Sequence, residues 1–325
     1  MAVYYLVALP MFLLTSTSGP EINAAQFSQI VKERSDFMKT VVFVYEGRTR
    51  WIGPENLGTD SEMFDDDFQG TFLYRADGAG LTDVFVKRKS PTAGVVRKKN
   101  AVLNGKSEEI RGLLDAKTPV DPLRNIRTGP GSIASLNDVW GVQDLFWSAW
   151  YWRERGDLNT RHYAFQGWED FNGRDCLRFQ YDISPNSPRH DQDYRRFWVD
   201  IDRNAHVVRT ETYQAGKLIA RTENTLAEYP AQNGKSTWFP ARSTTRWYIW
   251  ENKIYNDAVS ERTIDIVHGS VRTNVDLPDS LFTVRRATAL PTVGELSALE
   301  QHPAPAAYDR SSKLSRLKIR FGLTL

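Results

Sequence analysis

The stretch WVDIDRNAHVVRTETYQAGKLIARTE, Trp198–Glu223, decides the fold that we predict for this chain. Apolar and polar residues alternate along it, and two groups of turn-forming residues, Asp202–Ala205 and Gln214–Lys217, divide it into three runs. Side chains of a strand point alternately to the two faces of a sheet, and Asp, Asn and Gly favour tight turns. The pattern therefore predicts three consecutive antiparallel strands.

The turn at Asp202–Ala205 determines which residues face each other across the first two of these strands. The predicted pairs are Ile201 with His206, Val199 with Val208, and Phe197 with Thr210. One face then carries bulky and small uncharged side chains. The opposite face carries Asp200, Arg209, Glu211, Arg221 and Glu223, which we expect to form Arg–Glu pairs in contact with water.

Four residues of the same stretch, Asp200, Asp202, His206 and Glu211, are of types that bind metals or transfer protons. A metal site needs ligands that converge, whereas the predicted strands send these side chains to different sides. The sequence also has no G-x-S-x-G, H-E-x-x-H, P-loop or G-x-G-x-x-G motif. We expect no metal, no cofactor and no catalytic residue; a hydrolase with dispersed carboxylates is the less favoured alternative.

Similar β-rich runs lie on both sides, separated by turn signals such as Asn104-Gly105 and Asn172-Gly173. Two helices are predicted as well, one amphipathic over Asn23–Met38 and one rich in tryptophan that follows Ser135 or Asn137. We predict a mainly β fold of the α+β class. Its strongly curved antiparallel sheet forms an open half-barrel, and helices cover the concave side.

The chain divides into three parts. Residues 1–22 hold an apolar run, Val3–Leu14, followed by small residues, which predicts a signal peptide or a buried N-terminal segment. Residues 23–290 are predicted to form a single half-barrel domain, and residues 291–325 a C-terminal tail. We expect the protein to be periplasmic or otherwise exported.

Charge and cysteine content exclude other classes. A net charge of +2 from 42 basic and 40 acidic residues argues against nucleic acid as a partner. Cys176 is the single cysteine, so an internal disulfide is impossible. We expect Cys176 to be a small buried apolar residue.

Four segments resemble the LolA-like superfamily of outer-membrane lipoprotein-sorting proteins, and the resemblance extends over roughly Ala24 to Arg285. The shared features are a strand ending in Trp-x-Asp, a following strand with x-x-Arg-x-Glu, a Trp-Phe-Pro-x-Arg strand start, and a closing Leu-Phe-x-Val. The segments are YAFQGWEDFNGRDCLRFQYDI, RRFWVDIDRNAHVVRTETYQAGKLIARTE, TWFPARS and DLPDSLFTV.

The resemblance implies an extracytoplasmic carrier that holds a lipid acyl chain or a lipoprotein in an apolar cavity, with a membrane-associated protein as donor or acceptor. On this reading the tryptophan-rich helix is a lid. The candidate lining residues are Phe197, Val199, Ile201, Val208, Trp140, Phe146, Trp150, Trp247 and Ile249. The alternative is a non-enzymatic periplasmic scaffold that docks a protein partner through the aromatic helix.

Overall fold

The computed structural model describes residues 22–23, 25–27, 29, 39–53, 65–88, 95–114, 126–130, 163–182, 192–230, 236–250 and 252–284. Most of these residues are in β-strands. The strands are β1 (Thr40–Trp51), β2 (Asp66–Arg75), β3 (Gly80–Arg88), β4 (Val95–Leu103), β5 (Lys106–Leu114), β6 (Arg127–Pro130), β7 (Tyr163–Asp170), β8 (Asp175–Asp182), β9 (Tyr194–Asp200), β10 (His206–Gln214), β11 (Lys217–Pro230), β12 (Ser236–Trp247), β13 (Ile249–Trp250), β14 (Lys253–Ile254), β15 (Ser260–Ile266) and β16 (Arg272–Thr273).

Fourteen of these strands form one sheet. Thirteen of them follow the order β6-β5-β4-β3-β2-β1-β15-β12-β11-β10-β9-β8-β7, and β16 pairs with β1. Neighbouring strands are antiparallel throughout the described ranges. β13 and β14 form a separate two-stranded hairpin. The predicted antiparallel β architecture is confirmed.

The predicted α+β class, with helices covering the concave side, is wrong, because the described residues are nearly all in strands and provide no more than a short helical turn there. In the described ranges the helical residues are 25–27 and 29, together with a 3-10 turn at Asp279–Leu281. Asn23 and Gln26 begin the first of these by exchanging two 2.9 Å hydrogen bonds between side chain and backbone. None of these helical residues belongs to a helix that could span a bilayer. The predicted tryptophan-rich helix, residues 1–21 and residues 291–325 lie outside the described residues.

The sheet is strongly curved. Phe43 on β1 and Phe239 on β12 belong to strands separated by β15, which places their backbones about 10 Å apart in a flat sheet. Their ring centroids are 5.5 Å apart. The rings lean toward each other across β15, as expected on the concave side, and we call the face that carries Phe43 and Phe239 the inner face and the opposite one the outer face.

Two glycine–aromatic pairs on the inner face permit this curvature. Tyr45 pairs directly with Gly70, and Gly47 pairs with Phe68, across β1 and β2. Each ring lies against the glycine backbone of the partner strand, where a side chain would collide with it. Glycine at these positions lets a large ring cover the neighbouring strand at close range.

The two Asn-Gly dipeptides form tight turns between neighbouring strands. Asn104 and Gly105 have φ angles of 50° and 73°, and Asn172 and Gly173 have φ angles of 55° and 77°. Left-handed conformations at both central residues are those of tight hairpin turns, for which Asn-Gly is the preferred dipeptide. The predicted turns at these two positions are confirmed.

The pairing of β9 with β10 departs from the prediction because β10 contains a bulge. Phe197 pairs with Thr210 as predicted, but Val199 pairs with Val207 and His206 pairs with Asp200. The extra residue turns Val208 to the outer face, where it packs in a cluster with Trp198. The predicted pairs Val199–Val208 and Ile201–His206 are therefore wrong.

A C-terminal strap covers the outer face of β1 and β2. Leu277 and Phe282 pack in one buried cluster with Val42 and Leu73. Arg75 fastens the strap, because its guanidinium lies 5.0 Å from the Phe282 ring centroid and donates hydrogen bonds to the Leu277 carbonyl and, at 2.6 Å, to Asp279.

We predict that Gly70→Ala destabilises the sheet. The added Cβ would lie 2.6 Å from Cζ of Tyr45 and 2.9 Å from the Asp83 carbonyl oxygen, so ring and backbone must both shift. The expected loss in the free energy of unfolding is about 1–3 kcal/mol, measured by urea denaturation. Gly129→Ala is the control, since its nearest contact would be 3.9 Å away. Equal effects of the two substitutions would contradict the tight Gly70 contact.

Candidate functional site

The inner face carries two buried apolar clusters. The central cluster spans β1–β4, β11, β12 and β15 and consists of Val41, Phe43, Tyr45, Phe68, Phe72, Tyr74, Val84, Val86, Val102, Tyr229, Phe239, Ile264, Ile266 and Val271. The flank cluster lies on β8–β10 and consists of Ile22, Phe27, Leu177, Phe179, Phe197, Val199, Ala205 and Val207.

Two predicted lining residues, Phe197 and Val199, belong to the flank cluster and are fully covered. Part of this cover comes from the N-terminal segment. Phe27 stacks against Phe179 with ring centroids 4.2 Å apart, and Ile22 packs beside it. A ligand reaches Phe197 and Val199 only if this segment moves aside.

A half-exposed row crosses the inner face beyond the buried clusters, and we call it the rim row. Each member pairs directly with the next, and every member is half-buried. From β8 to β1 the rim row is Tyr181, Arg195, Thr212, Ala220, Trp247, Ser260 and Trp51. It is therefore a part of the inner face that solvent or a ligand reaches, and three of its members are aromatic.

A second row of directly paired residues crosses the same face beside the rim row, and we call it the polar row. On β10, β11, β12, β15 and β1 its members lie two residues from the rim row, on the side of the central cluster. It consists of Thr210, Thr222, Thr245, Arg262, Thr49 and Asp66. Arg262 is half-buried, and the other members are buried, with exposed fractions of 3% to 9%. The row separates the rim row from the central cluster.

Hydrogen bonds satisfy part of the polar row. The hydroxyls of Thr222 and Thr245 are 2.9 Å apart, and Nε of Arg262 donates to the Thr49 hydroxyl at 3.3 Å. The Arg262 guanidinium also lies 4.8 Å from the ring centroid of Trp247 in the rim row. Buried hydroxyls and a guanidinium are costly unless partnered, so their alignment on one face is a distinct feature of this interior.

The other sequence candidates are dispersed. Trp247 lies in the rim row, Ile249 is half-buried in the β13–β14 hairpin, and Ile201 packs at the edge of the flank cluster. Val208 is on the outer face. Trp140, Phe146 and Trp150 lie outside the described residues.

Sequence reasoning missed the polar row, and with it Arg262. No local signal marks this residue, because Thr49 is 213 positions away along the chain. The pairing of β15 with β12 and β1 places Thr245 and Thr49 on either side of Arg262, and the sequence alone does not show this pairing.

The acidic residues of the opening stretch are held by arginines on the outer face. Glu211 accepts hydrogen bonds from Arg209 at 2.5 Å, Arg221 at 2.9 Å and Tyr213 at 2.7 Å. Burial alone would raise the pKa of Glu211, but the bonds from Tyr213 and Arg209 and the two positive charges lower it below the ordinary value. The predicted Arg–Glu pair is confirmed. The prediction that its carboxylate lies in contact with water is wrong, because Glu211 is 4% exposed.

Asp200 also forms an ion pair with an arginine. Nε of Arg174 donates to its carboxylate at 2.6 Å, and Asp200 is 1% exposed. Among the described residues, no group of three or more His, Cys, Asp or Glu side chains is arranged to hold a metal ion. The geometry of these carboxylates is that of structural ion pairs.

Cys176 is buried as predicted, with 1% exposure, in the outer-face cluster that contains Trp198 and Val208. Burial raises the pKa of its thiol to about 12. A thiol with this pKa is almost wholly protonated at neutral pH and is a poor nucleophile.

His206 is enclosed at the start of β10. Its Nε2 donates to the Trp238 carbonyl at 2.7 Å, and its ring meets Phe239 edge-on at 5.8 Å. Burial lowers the pKa of His206 to about 4, against the smaller raising effects of the Trp238 carbonyl and Asp200. The imidazole is therefore neutral at physiological pH.

We predict that His206 makes the fold sensitive to acid. Its pKa is lower in the folded than in the unfolded chain, so its stabilising contribution is complete above pH 6.5 and is lost as the pH falls to about 4. The wild type should lose about 3 kcal/mol more than His206→Gln between pH 7 and pH 4, measured by urea unfolding. Identical pH profiles for the wild type and His206→Gln would refute the effect.

We also predict that Phe27→Ala uncovers the flank cluster. Removing the ring that stacks on Phe179 should cost about 3 kcal/mol of stability and raise binding of a hydrophobic fluorescent dye. Ile52→Ala is the control, because Ile52 is 51% exposed and covers no cluster. Unchanged dye binding by the Phe27 variant would show that other groups cover these residues.

No family model and no curated protein matches this chain. Among solved structures, it is similar to a DUF1329 family protein from Desulfovibrio piger, with 14% identity over 84% of this chain and 97% of that one and a TM-score of 0.48. It is also similar to a β-barrel-like protein of the domain of unknown function DUF1849 from Brucella abortus, with 11% identity over 71% and 99% and a TM-score of 0.20. Neither description names the LolA-like superfamily, and at these TM-scores neither likeness bears on function.

Proposed function

We propose that this protein is an exported binding or carrier protein that holds the acyl chain of a lipid or lipidated protein against the inner face of its half-barrel. The rim row carries the proposal. It places Tyr181, Trp247 and Trp51 on the concave, solvent-reachable part of one curved sheet. A concave surface lined by aromatic side chains is the usual form of a site for apolar ligands.

Binding would need no covalent chemistry. Each methylene removed from water contributes about 0.8 kcal/mol, so one acyl chain along the rim row gains several kcal/mol after the cost of ordering it. The buried carboxylates Asp200 and Glu211 are occupied by arginines, which agrees with a non-enzymatic role. A hydrolase is the less favoured alternative.

The covered flank cluster offers a deeper part of the same site. Ile22 and Phe27 occupy the position that an acyl chain would take against Phe179, Phe197 and Val199. We propose that this segment yields to the ligand, which exchanges one apolar contact for another. Such an exchange costs less than opening a dry core, since apolar surface remains covered throughout.

Export and a membrane-associated donor or acceptor protein belong to the same proposal. The apolar run Val3–Leu14 supports export, because it has the length of the apolar part of a secretory signal and is followed by small residues. Release of a bound acyl chain requires a partner that binds it better, for example a membrane-associated protein.

A periplasmic scaffold that docks a protein partner is the second candidate, and the central cluster favours it. Phe43, Tyr45, Phe68 and Phe239 are fully buried, and the rings pack at centroid distances of 5.5 to 6.5 Å. This part of the interior is filled by the protein itself. In this alternative the aromatic segment around Trp147 and Trp152 meets the partner.

Native mass spectrometry of the protein purified from an exporting host, followed by organic extraction, separates the two candidates. A stoichiometric lipid or acylated species supports the carrier and identifies its cargo class. An unliganded mass that persists after incubation with fatty acids and phospholipids contradicts the carrier and supports the scaffold.

We predict that Trp247→Ala weakens acyl-chain binding. The indole is the largest apolar surface in the middle of the rim row, and its loss should reduce affinity for a 16-carbon fatty acid about tenfold. Isothermal titration calorimetry measures the change. Trp238→Ala is the matched control, because Trp238 is also half-buried but packs with the outer-face cluster. A similar loss in both variants would mean that the rim row is not the binding surface.

A further inference from the structure

We infer that one end of the curved sheet docks on the headgroup layer of a phospholipid membrane. We call this surface the aromatic end, and it consists of Tyr194, Tyr213, Tyr248, Trp250, Tyr255 and Ile52. The inference deepens the proposed carrier function, because it names the partner that lies beside the rim row.

The aromatic end follows the ends of neighbouring strands, from β9 across β10, β11, β12 and β15 to β1, and includes the β13–β14 hairpin. Adjacent strand ends lie level with each other. Tyr194 pairs directly with Tyr213, and the Ile52 amide donates to the Val259 carbonyl at 3.0 Å. At ordinary strand spacing the arc is about 25 Å long.

The side chains of the aromatic end are open to solvent. Ile52 is 51% exposed, the one exposed large apolar side chain among the described residues, and the five aromatic members are half-buried. None of the six belongs to an apolar cluster of the described interior. Tyr and Trp combine an apolar ring with a polar tip, and for this reason they concentrate at membrane–water interfaces.

Cations accompany these rings. Lys217 and Lys253 are exposed, and the half-buried Arg196 lies over the stacked rings of Tyr194 and Tyr213, about 5 Å from each centroid. Within the described part of the chain, none of the three cations forms an ion pair with a carboxylate. They are therefore available to anionic headgroups.

Acidic residues at the aromatic end moderate this attraction. Asp182, Asp193 and Asp257 lie there too, and Asp193 accepts a 2.8 Å hydrogen bond from the Ala215 amide. Apolar contact must then supply much of the membrane affinity, and anionic lipid should increase it.

The opposite end of the sheet has a different composition. The turns between β7 and β8 and between β9 and β10 carry Asp170, Asp175, Asp200 and Asp202 at or beside them. Phe171 and Trp238 at that end pack in the outer-face cluster. A negatively charged surface therefore favours contact through the aromatic end, which orients the sheet on the membrane.

The shape of the aromatic end favours a lipid surface over a protein partner. The energetic centre of a protein interface is a compact, desolvated patch, whereas these side chains are spread along one level of the sheet. A flat headgroup layer can contact the whole arc. Trp250 meets Trp51 of the rim row edge-on, with centroids 5.0 Å apart, so an acyl chain leaving the membrane would reach the rim row directly.

Vesicle flotation tests the inference with the full-length protein and vesicles of phosphatidylcholine, prepared with and without phosphatidylglycerol. The wild type should float with both kinds of vesicle and should bind the anionic ones about tenfold more tightly at low salt. Added salt should reduce this preference. A wild type that floats with neither kind overturns the inference.

Ile52→Asp should weaken vesicle binding about tenfold, because it replaces an apolar contact with a negative charge. Asn172→Asp is the matched control, since it adds the same charge at an exposed turn of the opposite end. It should bind vesicles like the wild type. Equal losses in the two variants overturn the assignment to the aromatic end.

Lysine substitutions keep the test decisive even if Ile52→Asp fails to fold. Lys217→Gln combined with Lys253→Gln should remove most of the preference for phosphatidylglycerol. Lys39→Gln combined with Lys106→Gln removes two exposed lysines at the opposite end and should preserve it. Equal results for the two pairs, or the reverse result, overturn the inference.

Calorimetry with palmitate in the absence of vesicles separates this inference from the carrier function. Palmitate binding by a protein that does not float overturns the docking surface and leaves the carrier proposal intact. Flotation that depends on the aromatic end, without palmitate binding, supports the docking surface and contradicts the carrier.

Discussion

The structure depends on aromatic rings that pack across the concave side of a single antiparallel sheet. Phe43 reaches Phe239 over β15, and Tyr45 lies on Gly70 of the neighbouring strand. Tyr45 can lie this close to the neighbouring strand because Gly70 has no Cβ, and glycines at such positions let a sheet curve. Curvature then brings inner-face side chains of distant strands together and separates those on the outer face.

This curvature explains why the two faces use different chemistry. On the outer face, side chains diverge and reach mainly their direct neighbours, so Arg–carboxylate pairs such as Arg221 with Glu211 and Arg97 with Asp83 stabilise it locally. Among the described residues, apolar cover there comes from the Leu277–Phe282 strap and the cluster around Trp198. The converging inner face instead packs aromatic rings into the central cluster.

The inner face changes in character along its strands. A central cluster filled by its own rings gives way to the polar row and then to the half-exposed rim row. The flank cluster with Phe197 and Val199 lies apart from this succession and is covered by the N-terminal segment.

The sequence by itself determined the strands, the Asn-Gly turns and the apolar alternation, because each depends on residues that are close along the chain. It did not determine what covers the inner face, since apolar periodicity shows that a face is buried but not against what. The face of the sheet on which Val208 lies depended on a bulge in β10. The polar row depended on pairings such as Arg262 with Thr49, which only the curved tertiary sheet brings together because 213 positions separate the two residues.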